Sequence, residues 1–302
     1  MSNSSSKKKI LDYIERTGYP LEIEISSLLE DSKWAVTGNY PYVDPVKGGL
    51  REIDVYATFP SALRQDEFLT KPHFLPMMLV ECKKSATDSL ILFPRPNRLF
   101  SWEDLEGQVF DYPKMLNKKL PESSYGPPDF LALGLSRFLV KSLHQTKMKA
   151  CNTYNLTSEK RLIFEAVATL LNAQSGLMES ERFKAQQFLP GTLFHSILFT
   201  YLVIVFDGPM FEANVRGGKT EVEDTHHSLI RAAWNPKGVA NLIYYSIDVV
   251  HPDFFTKYLE LLQQDISLIS KSMKDNKQLE GYLSVDKGNP TLGSVNYPPK
   301  QA

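Results

Sequence analysis

"HFLPMMLVECKKS", residues 73–85, decides how this chain is read. Through Val80 the run is apolar at both parities, the pattern of a central strand covered on both faces. The strand rhythm then carries on through Glu81, Cys82 and Lys83. A period of two puts Glu81 and Lys83 on one side, with Val80 and Cys82 on the other. A buried apolar strand does not normally end with an acid and an amine turned the same way.

The partner stretch is "REIDVYA", residues 51–57. Strand period predicts Glu52, Asp54 and Tyr56 on one face and Ile53 and Val55 on the other. If the two strands are neighbours, Asp54 and Glu81 converge at one end of the sheet. Carboxylates that close repel unless one takes a proton or a cation sits between them. An oxygen-preferring divalent ion such as Mg²⁺ suits the position. Lys83 beside it can orient a water or offset charge on a phosphate. Together these parts suit phosphodiester hydrolysis. The plainer alternatives are a salt bridge at a strand end for Glu81 and Lys83, and an Arg51-paired carboxylate for Asp54.

The order Asp54, then Glu81-Cys82-Lys83 one strand later, resembles the PD-(D/E)xK nuclease superfamily of restriction-endonuclease-like and Mrr-type proteins. Two further positions extend the resemblance. Glu22 in "PLEIEISSLL" matches an acid on the helix before the sheet, with Glu24 a competing choice. Gln108 and Tyr112 in "GQVFDY" match a Gln and Tyr four apart on the helix after the ExK strand. The match covers residues 22 to 112, and Ile53 stands where the family name has proline. The resemblance implies a mixed sheet flanked by helices, Mg²⁺ or Mn²⁺ as cofactor, and DNA more readily than RNA as partner. It implies metal ligation by Asp54 and Glu81 with help from Glu22, water positioning by Lys83, a steadying role for Gln108, and Tyr112 packed behind. The competing function class is a non-catalytic nucleic-acid-binding or protein-interaction module on the same fold. A nuclease that cuts both strands would be expected to act as a homodimer.

The 302 residues carry a formal net charge of −1, with 42% apolar and 23% charged residues, so any basic surface is local. Two cysteines allow no disulfide framework and fit a reducing cytoplasm. The opening "MSNSSSKKK" lacks the apolar core of a signal peptide. "LFHSILFTYLVIVF", residues 193–206, is too short to span a bilayer and reads as a buried strand. No membrane role is expected. "RGGKT" lacks the first glycine of a phosphate-binding loop, since Ala213 stands there, and reads as a turn. The basic clusters Lys114, Lys118, Lys119 and Lys141, Lys147, Lys149 would hold a phosphate backbone if they lie beside the site.

The expected organisation is an α/β chain. Residues 1–9 form a loose tail and 10–150 a restriction-endonuclease-like core, a mixed central sheet flanked by helices. Residues 151–280 form a C-terminal α/β extension packed on or continuing that sheet, and 281–302 a second tail. Periodicity predicts helices from Pro20, from Ser101, over about 156–176 and from Pro252. It predicts strands at "LREIDVYATF", "FLPMMLVECKK", "DFLALGLSRFLV", "FTYLVIVFDG" and "NLIYYSIDVV", and a hairpin turning at Gly217-Gly218. "NYPYVDPVKGG" reads as turn-rich.

Overall fold

The computed structural model describes residues 3–59, 73–85, 89–94, 108–111, 150–155, 161–187, 196–234 and 243–275. Helices α1 (Asn3–Arg16) and α2 (Tyr19–Asp31) lead into strands β1 (Ala35–Val43), β2 (Leu50–Thr58), β3 (His73–Lys84), β4 (Leu90–Pro94), β5 (Val109–Asp111) and β6 (Ala150–Asn155). After α3 (Arg161–Gln187) come β7 (Ser196–Asp207), β8 (Met210–Arg216), β9 (Lys219–Asp224), β10 (His227–Trp234), β11 (Ile243–Val250) and α4 (Pro252–Asp275).

One mixed sheet holds these strands in the order β1-β2-β3-β7-β11-β10, continued by β6-β4-β8-β9. β3 is central. It pairs antiparallel with β2 and runs parallel to β7 along its whole length, from His73↔Ser196 to Lys84↔Asp207. β7 continues parallel into β11, which is antiparallel to β10. The sheet crosses position 150 without a break, because β3 and β7 come from opposite halves of the chain. Continuous apolar runs such as "MMLV" and "YLVIVF" belong in such a position, where both faces are covered.

Each face has its own apolar layer. On one, Leu21, Ile25 and Leu29 of α2 and Phe255, Tyr258 and Leu262 of α4 pack on Val80, Cys82, Val203 and Val205. On the other, Ile163, Ala166, Leu170 and Leu177 of α3 pack on Leu79, Leu202, Ile204 and Ile247. Among the described residues, no helix is long and apolar enough to cross a membrane.

The structure departs from the sequence expectations at identifiable places. Residues 3–9 are not a loose tail but the first half of α1; Lys and Leu favour helix, and α1 rests against α2. "NYPYV" is the end of β1, not a loop. Its Pro41 is tolerated because β1 is an edge strand, where a missing N–H breaks no inner ladder. The expected helix over "GQVFDY" is absent at Val109–Asp111, which form β5 on the edge of β7. The expected strand at 129–140 and the tail from 281 lie outside the described residues. Alternation in β2 also fails. Val55 packs into the α2/α4 layer while Ile53, two residues earlier, packs into the α3 layer. The hairpin does turn at Gly217 and Gly218, whose φ of +56° and +78° suit a two-residue loop.

α3 runs past Gly176, which is a packing glycine and not the helix end. A Cβ there would come within 2.6 Å of the Val43 carbonyl oxygen. Gly176→Ala is therefore expected to lower stability by about 1–3 kcal/mol by urea unfolding, although alanine is the better helix former.

Beneath α4 lies a buried polar group. Asp248 accepts from the Tyr258 hydroxyl at 2.8 Å and pairs with His227 Nε2 at 3.0 Å. Burial, with the Asp248 charge close by, pushes Asp265 up to about 7. Its Oδ2 is buried without a hydrogen-bond partner among the described residues. An acid whose folded pKa exceeds its unfolded value contributes its full stability below about pH 4, the unfolded pKa. That contribution is lost as pH climbs to about 7, the folded value. Asp265→Asn should thus gain stability over the parent, by roughly 3 kcal/mol, between about pH 5 and about pH 8. Urea unfolding of both proteins at the two pH values checks it.

Candidate functional site

The β2–β3 ladder runs from Thr58↔Met77 to Val55↔Val80. This register brings Asp54 level with Glu81, where the strands fork. Asp54 fills the fork: its Oδ2 accepts the backbone N–H of Cys82 at 2.7 Å. A carboxylate tied to a backbone amide is fixed in direction, and the bond takes the place of a ladder hydrogen bond.

Lys83 sits over the two acids. Its Nζ donates to Glu81 Oε2 at 2.6 Å and lies 3.7 Å from Asp54 Oδ2. Glu81 is 3% exposed. Burial is the main force raising its carboxyl, to about 7; the Lys83 ammonium opposes that rise and the Asp54 charge adds to it. For Lys83, burial alone would favour the neutral amine, but Glu81 and Asp54 outweigh it and hold the pKa above its ordinary value. The ammonium is thus the positive charge that lets two acids share one fork.

Glu22 reaches the group from the first turn of α2. Burial raises its pKa first, then the Asp54 charge, while Lys83 lowers it. One of its oxygens lies near Gly18, at the turn before α2 that also approaches the Cys82 carbonyl oxygen. Glu24, the competing acid, is exposed on the same helix. Pro20 in the first turn starts α2 there, and Leu21, Ile25 and Leu29 turn the helix so that Glu22 faces the strand ends. Cys82 faces the core, and burial raises its thiol well above the ordinary range, so it is chemically quiet.

Gln108 is not with them. It is buried between β7 and β11, donating through Nε2 to the Thr200 carbonyl at 2.9 Å and accepting the Ser246 N–H through Oε1 at 2.8 Å. The β7–β11 ladder begins at Leu202↔Ile247, while β5 occupies the same edge of β7 at Ile197–Phe199. Gln108 closes the gap between the two. Its place in the site was expected from a helical spacing to Tyr112 that the backbone does not adopt at Val109–Asp111. Tyr112 and the lysine clusters at 114–119 and 141–149 lie outside the described residues.

Two carboxylates beside one ammonium, with a third acid, Glu22, near enough to feel the charges of Asp54 and Lys83, are hard-oxygen donors of the kind Mg²⁺ or Mn²⁺ takes. Burial is the main cause that raises the carboxyls of Glu22 and Glu81; the Asp54 charge adds to it and the Lys83 ammonium opposes it in both. Among the described residues, however, no three His, Cys, Asp or Glu side chains are arranged to hold an ion as they stand. Side-chain movement would be needed, beginning with Lys83. Sequence reasoning missed one feature: Asn39, directly across β1 from Asp54, with φ +48°. The signal was present as "GN" inside an extended run, a turn dipeptide where no turn is made.

Comparison with family models, curated proteins and solved structures gave no match, so fold and site rest on the chain's own residues.

Proposed function

We propose that this chain is a metal-dependent phosphodiesterase of nucleic acid, acting on DNA more readily than RNA, on a restriction-endonuclease-like sheet of the PD-(D/E)xK type. The observation that carries the reading is the fork itself: an ammonium 2.6 Å and 3.7 Å from two carboxylates at the end of an otherwise apolar strand pair. A lone structural salt bridge would need one acid, not a second from the next strand and a third nearby from a helix.

Asp54, Glu81 and Glu22 would hold Mg²⁺ or Mn²⁺. When bound, the ion supplies Lewis-acid polarisation of a phosphoryl oxygen and a more acidic water. The chain's residues do the rest. The Cys82 N–H fixes the direction of Asp54. Lys83 keeps its proton, and its N–H groups can orient a water towards phosphorus and offset the charge that grows on the phosphoryl oxygens. α2 brings Glu22 near the end of the fork, where the turn before the helix also approaches the Cys82 carbonyl oxygen.

The non-catalytic alternative is favoured by one observation: Lys83 already compensates Glu81, so the acids are partly neutralised with no ion. Incubation of duplex DNA, single-stranded DNA and RNA with Mg²⁺, Mn²⁺ or EDTA separates the two readings. Cleavage that needs the metal and is lost in Asp54→Ala is expected. Intact substrates under every condition, with binding indifferent to metal, would sink the catalytic reading.

A further inference from the structure

We infer that Asn39 is a positioning residue: its left-handed backbone turns Asp54 into the fork between β2 and β3. The bearing of this on catalysis rests on the phosphodiesterase reading; the geometry does not. In the β1–β2 ladder Gly38 opposes Val55 and Tyr40 opposes Ile53, which places Asn39 opposite Asp54. On one side of that point, Val36 and its partner Ala57 both belong to the α2/α4 layer. On the other, Tyr40 and its partner Ile53 both belong to the α3 layer. Positions 36 and 40 of an unbroken strand share a face. Both strands therefore change face together, and the change falls at Asn39 and Asp54.

Asn39 is the only non-glycine residue of β1 or β2 with positive φ, at +48°. Its side chain is exposed, so packing does not hold it there. Asparagine accepts the left-handed region more readily than other non-glycine residues, whereas β-branched residues resist it strongly. Gly38 is not the cause: its φ is not positive, and a Cβ there would meet only the Asp54 carbonyl oxygen, at 4.0 Å. The consequence is specific. Regular alternation would commit the Asp54 side chain to one face of the sheet. With the change of face it reaches across the fork to the Cys82 N–H at 2.7 Å, with the Lys83 ammonium 3.7 Å from the same oxygen. Irregular strand residues re-aim side chains in this way beside active sites.

The test uses the full chain with Asn39→Gly, Asn39→Ala and Asn39→Val, read first by amide exchange of Cys82 in ¹⁵N-labelled protein. The wild-type amide, bonded to a carboxylate, should be protected and shifted downfield. Asn39→Gly should keep both signatures. Asn39→Ala and Asn39→Val should lose at least tenfold in Cys82 protection while amides of β7 and β11 keep theirs. Cleavage should follow the same order, with kcat falling and KM steady. Unchanged Cys82 protection in Asn39→Val would overturn the inference. If Asn39→Val does not fold, Asn39→Ala decides; failure of both to fold would count against it, because the position would then serve the fold and not Asp54. If wild type cleaves nothing, the functional reading falls, and the amide measurement still judges the geometry.

Discussion

Lys83→Ala should lower metal-dependent cleavage by about 10²–10⁴-fold, the usual range for a positioned proton-transfer or charge-stabilising group. The side chain has two tasks, and both are lost. It holds Glu81 and Asp54 in one fork at 2.6 Å and 3.7 Å. On the proposed reading it would also supply the positive charge for a phosphate approaching that fork. Without it, Glu81, whose carboxyl is already raised to about 7 by burial, has lost the cation that opposed the rise. Glu81 should then hold a proton at neutral pH and serve poorly as a metal ligand. Lys83→Arg keeps the charge but not the compact ammonium, and should recover little activity. The check is single-turnover cleavage of labelled duplex under saturating Mg²⁺, with unfolding curves confirming that both variants are folded. Cleavage by Lys83→Ala within a few-fold of wild type would remove Lys83 from the chemistry.

Gln108→Ala should instead cost about 3 kcal/mol or more of stability and leave kcat per folded molecule unchanged. Its amide makes two buried bonds, to the Thr200 carbonyl and from the Ser246 N–H. Truncation strands both backbone groups away from water, at roughly 1–3 kcal/mol each. Urea unfolding measures the first part of the expectation and single-turnover cleavage the second. A loss of kcat in well-folded Gln108→Ala would return the residue to the site. The two variants thus separate a residue that acts in the fork from one that closes a gap in the sheet, although both occurred in the same linear motif.

The difference between them shows where sequence reasoning was strong. Glu81 and Lys83 were legible because a strand has a single period and the apolar run before them fixed its phase. The central place of β3 was legible for the same reason: residues apolar at both parities need cover on both faces. Glu22 was better phased than Glu24 with Leu28 and Leu29, but the choice between the two acids stayed open in the sequence; in the structure Glu22 is half-buried and Glu24 exposed. Gln108 misled because a spacing of four implies adjacency only if the backbone is helical, and Val109–Asp111 pair with β7 instead. β10 went unread as a strand. "HSLIRAAW" does not alternate cleanly, since its cover comes from two layers and from β11. For β1, the turn-forming residues of "GNYPYV" masked a strand.

Local composition was enough to specify which acids lie on the two strands, that the apolar runs of β3 and β7 are buried, and that an acid, a second acid and an amine follow one another in a fixed order. Those properties depend on near neighbours and on hydrophobicity, which a linear chain carries explicitly. Whether the charged groups meet was settled only by pairing partners far apart in the chain. The register Val55↔Val80 sets Asp54 beside Glu81, and the parallel seam of β3 with β7 joins the two halves. Both strands change face where left-handed Asn39 stands opposite Asp54. A one-residue change of register or of face reverses every side chain on a strand, and no local preference records that choice.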